Sequence, residues 1–260
     1  MITASRSDIG RIRQINEDRH WAGTLENGAT LAIVADGMGG HQAGDVASQI
    51  AVNTFRDRME KSAAKAGLTV EEGKMLIRQA IVGANDVVYD MASRNEQYYN
   101  MGTTIVAALL LDERAIIGHI GDSRVYQIAE NGIVQLTEDH TLVNELVKSG
   151  QVSAEEAAHH PRRNVITRAV GTDAQVTVDI LTTDLAAGDV LLLCSDGLTN
   201  MVSDEQLLRT VQEDGPKLSD KAEHLIQLAL HAGGDDNITV VLIQADNNVT
   251  TEGVTTDDRT

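Results

Sequence analysis

Four times along the chain an aspartate stands beside a glycine at the edge of an apolar run. Asp36-Gly37-Met38-Gly39-Gly40-His41 follows residues 31–35, and Gly121-Asp122-Ser123-Arg124 lies between two runs. Ser195-Asp196-Gly197 follows residues 190–194, and Gly233-Gly234-Asp235-Asp236-Asn237 precedes residues 238–244. A single Asp-Gly is a common turn dipeptide. Four carboxylates at the ends of buried strands are different, because uncompensated charge beside a core is expensive. Few basic residues stand near them in sequence to form ion pairs. Mg²⁺ and Mn²⁺ prefer oxygen ligands and keep several waters, so one shared metal centre accounts for all four.

The elements that must carry these residues are readable from periodicity. Short β-branched runs predict strands at 30–35, 103–111, 115–120, 124–129, 133–136, 190–194 and 238–244. Asn131-Gly132 between two of them is a hairpin signal, since both residues tolerate positive φ. Ala43, Val46, Ala47, Ile50, Ala51 and Phe55 fall on one helical face, as do Ile77, Ala80, Ile81, Ala84, Val87, Val88 and Met91. A weaker helix carries Leu142, Leu146 and Val147 and stops at Gly150; another carries Ala222, Leu225, Ile226 and Ala229 and stops at Gly233. This order does not alternate strand with helix, which predicts a layered antiparallel α+β domain rather than a doubly wound sheet.

Composition bounds what the centre can act on. The chain has 260 residues, 39 acids against 21 Lys plus Arg, and a formal net charge of −18. Nucleic-acid binding requires a basic surface that is absent here, and docking on anionic lipid is disfavoured for the same reason. The longest apolar run, near residues 105–111, is too short to span a bilayer. Charges at Arg6, Asp8, Arg11 and Arg13 leave no room for a secretory apolar segment. The single cysteine, Cys194, can form no internal disulfide, so a reducing cytoplasm is expected. Two prolines and no Gly/Ser tract argue against a linker, so residues 1–245 are read as one domain and 246–260 as an acidic disordered tail.

With the motifs set in order, the chain resembles the metal-dependent PPM (type 2C) protein serine/threonine phosphatases, in particular their stand-alone bacterial branch. The resemblance rests on Ser7-Asp8-Ile9-Gly10 with Arg13, Asn16, Glu17 and Asp18; residues 35–41; Met101-Gly102-Thr103-Thr104; and residues 118–126, 136–150, 161–171, 191–198 and 233–241. It implies a four-layer αββα sandwich of two antiparallel β-sheets flanked by helices. It implies a binuclear Mn²⁺ or Mg²⁺ centre in which Asp36 bridges two ions, Gly37 lends its carbonyl to one, and Asp196 and Asp236 ligate the other. Glu17 and Asp18 would hold waters of the metal shell, Asp122 with Asp196 would hold a third ion, and Arg13 would grip the substrate phosphate. Bacterial members of this kind oppose a membrane-anchored Ser/Thr kinase with extracellular wall-binding repeats, whose cytoplasmic domain and targets are then the expected substrates. A monomer is expected.

The chemistry expected of such residues is hydrolysis of phosphoserine and phosphothreonine in proteins. A hydroxide bridging the two cations attacks phosphorus in line, while a bidentate Arg13 neutralises charge on the phosphate. The leaving oxygen needs a proton, for which His41 is the titratable group of the motif. Another branch of the family has a histidine directly after the Asp-Gly pair, where this chain has Met38, so a metal-bound water is the alternative donor. A segment from about residue 144 to 171 should form a flap beside the site, and its Arg162 and Arg163 are expected to help choose protein substrates. His159-His160 is read as a solvated loop rather than a metal site.

Other chemistries fail on the sequence. Cys194 has Asn200 six residues on, where a cysteine phosphatase needs arginine, and it reads as a small buried strand residue. No Gly-x-x-x-x-Gly-Lys-Ser/Thr loop occurs. A pseudophosphatase would be expected to lack Asp36, Asp196 or Asp236, and all three are present. A nucleic-acid phosphodiesterase lacks the basic groove it would need.

Overall fold

The computed structural model of the chain describes residues 1–40, 43–62 and 67–246. Its strands are β1 (Ile2–Asp8), β2 (Asp18–Thr24), β3 (Thr30–Met38), β4 (Gly102–Thr103), β5 (Ile105–Leu111), β6 (Arg114–Ile120), β7 (Arg124–Ala129), β8 (Gly132–Gln135), β9 (Asp179–Asp184), β10 (Val190–Cys194) and β11 (Ile238–Gln244). Its helices are α1 (Ala43–Ser62), α2 (Val70–Arg94), α3 (Leu142–Lys148), α4 (Ala154–Ala158), α5 (Asp196–Thr199), α6 (Asp204–Gln212) and α7 (Leu218–Ala232).

The near-continuous apolar runs follow from burial on both faces. Along β3, Leu31, Ile33 and Ala35 join a core with α1 and α2, whereas Ala32 and Val34 join a second core with Leu191, Leu193, Val241 and Ile243. Along β11, Ile238, Val240 and Leu242 face α6 and α7, and Val241 and Ile243 face the sheet that holds β3. Four layers result: helices, sheet, sheet, helices. One sheet has the order β1-β11-β10-β7-β8, the other β2-β3-β5-β6-β9 with β4 on β3, and every pairing is antiparallel. This is the α+β sandwich that the sequence predicts.

Register decides where the acids go. Asp18 at the start of β2 pairs with Asp36 near the end of β3. Cys194 pairs with both Val240 and Arg124, and Asp8 pairs with Ile238. The ends of β1, β3, β6 and β10 and the beginnings of β2, β7 and β11 therefore meet at one end of the sandwich. Cys194 lies in the α6–α7 core, as expected of a structural thiol, and burial pushes its pKa up to about 12.

Three strands escape the sequence reading: β1, β2 and β9. Each is an outer strand of its sheet, half exposed and rich in polar residues. The predicted strand at 103–111 is two, since Thr104 breaks it into β4 and β5. Helix α6 was also missed, although Ser203 and Gln206 form its capping box. Fourteen of the fifteen residues of the predicted tail, like His41, lie outside the described residues.

Candidate metal centre

Asp36, Asp196 and Asp122 leave three different strands at the same end, and Asp236 stands two residues before a fourth. Two threonines brace the Asp36 backbone. Thr103 donates through Oγ1 to the Asp36 carbonyl at 2.8 Å, and the Asp36 amide donates to Thr104 Oγ1 at 3.0 Å. Gly37 permits the close approach of α1: a Cβ there would lie 2.1 Å from the Gly44 carbonyl oxygen. Glu17 lies against the same helix start, its side chain facing Gly44.

Asn237 anchors the loop that carries Arg13. Its Oδ1 accepts from the Glu17 amide at 2.8 Å, and its Nδ2 donates to the carbonyls of Ile9 and Ile15 at 2.8 and 3.0 Å. Ser195 Oγ donates to Asp18 Oδ2 at 2.7 Å and accepts from the Thr239 amide at 3.0 Å. Sequence reasoning gave Asn237 and Ser195 no role. Both stand inside the recognised motifs, yet only register shows which groups they bridge.

The electrostatics are those of crowded acids. Burial, then the neighbouring carboxylates Asp18, Asp196, Asp122 and Asp236, hold Asp36 well above the usual carboxylate range. Burial raises Asp18 and Asp122 to about 7 and raises Asp196 and Glu17 as well. One carboxylate is compensated within the chain, contrary to expectation: Arg13 donates from Nη2 to Asp236 Oδ2 at 2.7 Å. Two buried oxygens, Glu17 Oε1 and Asp18 Oδ1, have no hydrogen-bond partner among the described residues. Orphaned carboxylate oxygens in a cluster of mutually repelling acids are a donor set suited to hard divalent cations.

A model for the family described as protein phosphatase 2C matches residues 11–230. The chain belongs to the protein phosphatase 2C family. It is 43% identical over 243 residues to the serine/threonine phosphatase stp of Listeria monocytogenes, covering 93% of this chain and 94% of that one. The solved serine/threonine phosphatase of S. agalactiae superposes with a TM-score of 0.87 at 37% identity, over 94% of this chain and 99% of that one. The catalytic domain of the phosphatase PstP, solved in complex with two manganese ions, gives 0.80 at 36% identity, over 94% of this chain and 98% of that one. This phosphatase 2C is a metal-dependent enzyme that hydrolyses phosphoserine and phosphothreonine in proteins.

Beside the acids of this phosphatase lies a cavity of about 700 Å³, lined by Asp122 and Asp196 on one side and by Val147, His159, Arg163 and Asn164 on the other. The second group belongs to the segment read as a flap, which consists of α3, α4 and the turns after them. Its base is fastened by the bridges Thr141↔Ile166 and Thr103↔Val170. A cleft of about 760 Å³ beside Thr30, Leu111 and Asp246 lies at the opposite strand ends, remote from the acids. No helix among the described residues is long and apolar enough to cross a membrane.

Proposed function

We propose that Asp36, Gly37, Asp196 and Asp236 hold two divalent cations, Mn²⁺ or Mg²⁺, and that Asp122 with Asp196 holds a third. Glu17 and Asp18 fix the waters around them. The observation that supports this reading is the crowding of buried acids at one end of the sandwich, with two oxygens left orphaned. Cations bound there bring the pKa of a coordinated water toward neutrality and offset the charge of the phosphate.

The remaining work falls to side chains of the chain itself. Arg13 is half exposed and uses one N–H on Asp236, which leaves donors for phosphate oxygens. It orients the phosphate so that water attacks phosphorus in line with the departing serine or threonine oxygen. His41 supplies the proton that this oxygen takes away. Arg162 and Arg163 on the flap engage the peptide around the phosphorylated residue, Arg163 from the wall of the cavity.

A pair of substrates tests these roles: a phosphothreonine peptide, and an aryl phosphate whose leaving group needs no proton. Arg13→Ala should lower kcat/KM on both by about 10- to 100-fold, since it removes charge-assisted hydrogen bonds. His41→Ala should slow the peptide alone. Replacing Arg162 and Arg163 by alanine should lower the peptide-to-aryl ratio by up to about fivefold, the scale of exposed charge pairs. An unchanged ratio in that double variant would remove the flap from substrate choice, and full activity of Arg13→Ala would remove its phosphate grip.

Residues 1–245 form the phosphatase domain in this proposal. The protein acts as a monomer in the cytoplasm, where Cys194 stays reduced, and reverses the phosphorylation made by a membrane-anchored Ser/Thr kinase.

A further inference from the structure

Beside the loop that carries Asp122 lies a second group of ligating side chains. One ligand atom each of His119, His140 and Asp179 lies within 4.8 Å of the others, and both histidines are buried. Such a trio invites a reading as a metal site, but the hydrogen bonds decide otherwise. The Gly121 amide donates to His140 Nδ1 at 3.1 Å, so Nδ1 carries the lone pair. The proton of the neutral ring is then on Nε2, which donates to Asp179 Oδ2 at 3.0 Å. A cation on Nε2 would need the opposite tautomer, which sets two N–H groups face to face at Gly121. Arg168 Nη1 lies 3.4 Å from both Nε2 and Asp179 Oδ1, and the carboxylate is the partner with an electron pair to offer.

The same residue grips Gly121 through its backbone, since the His140 amide donates to the Gly121 carbonyl at 2.8 Å. Its own carbonyl accepts from the Thr167 amide at 2.8 Å, at the base of the flap. The His119 ring stacks on the His140 ring at 4.6 Å between centroids and fixes its plane. Gly121 itself has φ of +113°, and a Cβ there would lie 2.5 Å from Thr104 Cγ2. Gly121 is thus held in a conformation that an L side chain rarely adopts, with its amide satisfied by one imidazole nitrogen.

We propose that His140 is a positioning residue: through Nδ1 on the Gly121 amide, with Asp179 fixing the tautomer, it orients the Asp122 carboxylate for the third cation. The inference rests on the reading of Asp122 as a ligand of that ion. Asn and Gln at position 140 separate the two ends of the ring. Asn places its oxygen near the position of Nδ1 and can accept from Gly121, whereas Gln reaches toward Asp179 and leaves the amide without an acceptor.

The test is calorimetric titration with Mn²⁺ of the full chain and its variants, with the Mn²⁺ dependence of kcat and the peptide KM measured alongside. His140→Gln should weaken the third, low-affinity ion by about tenfold or more, the scale of one lost buried hydrogen bond. It should leave the two tight ions and the peptide KM unchanged. His140→Asn should stay within about threefold of the parent. Asp179→Asn, which keeps an acceptor for Nε2–H, should also match the parent, while Asp179→Ala at that half-exposed position should move the third ion in the direction of His140→Gln. A parent that binds three ions while His140→Gln and Asp179→Ala bind all three with parental affinity overturns this inference alone. A parent that binds only two overturns the Asp122 reading and the inference with it. Equal loss of all three ions in every variant marks a purely structural role and also overturns it.

Discussion

Asp36→Asn should lower kcat/KM on a phosphothreonine peptide by at least about a thousandfold at saturating Mn²⁺, since metal ions supply several kcal/mol of charge stabilisation in such reactions. The same substitution should raise the melting temperature of the metal-free protein by roughly 5 °C or more. Asp36 is buried and its charge is opposed by Asp18, Asp196, Asp122 and Asp236. In the metal-free protein it must either stay ionised among like charges or take up a proton that the unfolded chain does not hold at neutral pH. Asn has almost the same shape and carries no charge, so both penalties disappear. A shift of a few kcal/mol corresponds to several degrees in a chain of this size. Loss of activity with a gain in stability would show that Asp36 is kept for its charge. Loss of both would show that it acts as a structural residue, and parental activity would remove it from the centre.

A second large effect concerns pH. Asp18 and Asp122 titrate near 7 in the folded metal-free chain and near 3.8 as ordinary carboxylates. Across that interval the folded state binds more protons than the unfolded state, so its stability falls as pH rises. In EDTA the melting temperature should drop by at least about 5 °C between pH 5 and pH 7.5. With Mn²⁺ the sign reverses, because cations bind the deprotonated carboxylates and stabilise the folded state more as pH increases. The check is a pair of thermal melts, with and without metal, across this range. A melting temperature in EDTA that is flat or rises from pH 5 to 7.5 would contradict the assignment of these acids to one crowded cluster.

The parts of the structure legible in the sequence are those where two physical demands coincide. β3, β10 and β11 carry near-continuous apolar runs because each is buried between a helix layer and the other sheet. An Asp-Gly step after such a run stands out for the same reason. The outer strands β1, β2 and β9 meet only one demand, and their polar residues read as loops. β8 is an outer strand as well, and it was found because Asn131-Gly132 marks its hairpin with β7.

Within the site, motif and family resemblance single out the aspartates but not the groups that support them. Thr104, Ser195 and Asn237 act across 68, 177 and 220 residues of chain respectively, on Asp36, Asp18 and Glu17. Nothing local reveals such pairs; the antiparallel register creates them. The ion pair of Arg13 with Asp236 spans 223 residues and was hidden for the same reason. Proximity in sequence was therefore a poor guide to whether these carboxylates are compensated.

The net charge of −18 takes on a different meaning once the site is built. A charge of that sign disfavours bulk polyanions as partners, yet the substrate is itself an anion. Six acids (Glu17, Asp18, Asp36, Asp122, Asp196 and Asp236) belong in this account to the metal centre or its waters, so the charge that repels phosphate elsewhere is the ligand set that lets phosphate bind here. The most direct measurement is phosphate release from a phosphothreonine peptide by the parent protein, first in EDTA and then with Mn²⁺ restored in excess. The account predicts no release in EDTA and full recovery with Mn²⁺. Release that persists in EDTA, or no release with any divalent metal, would contradict it.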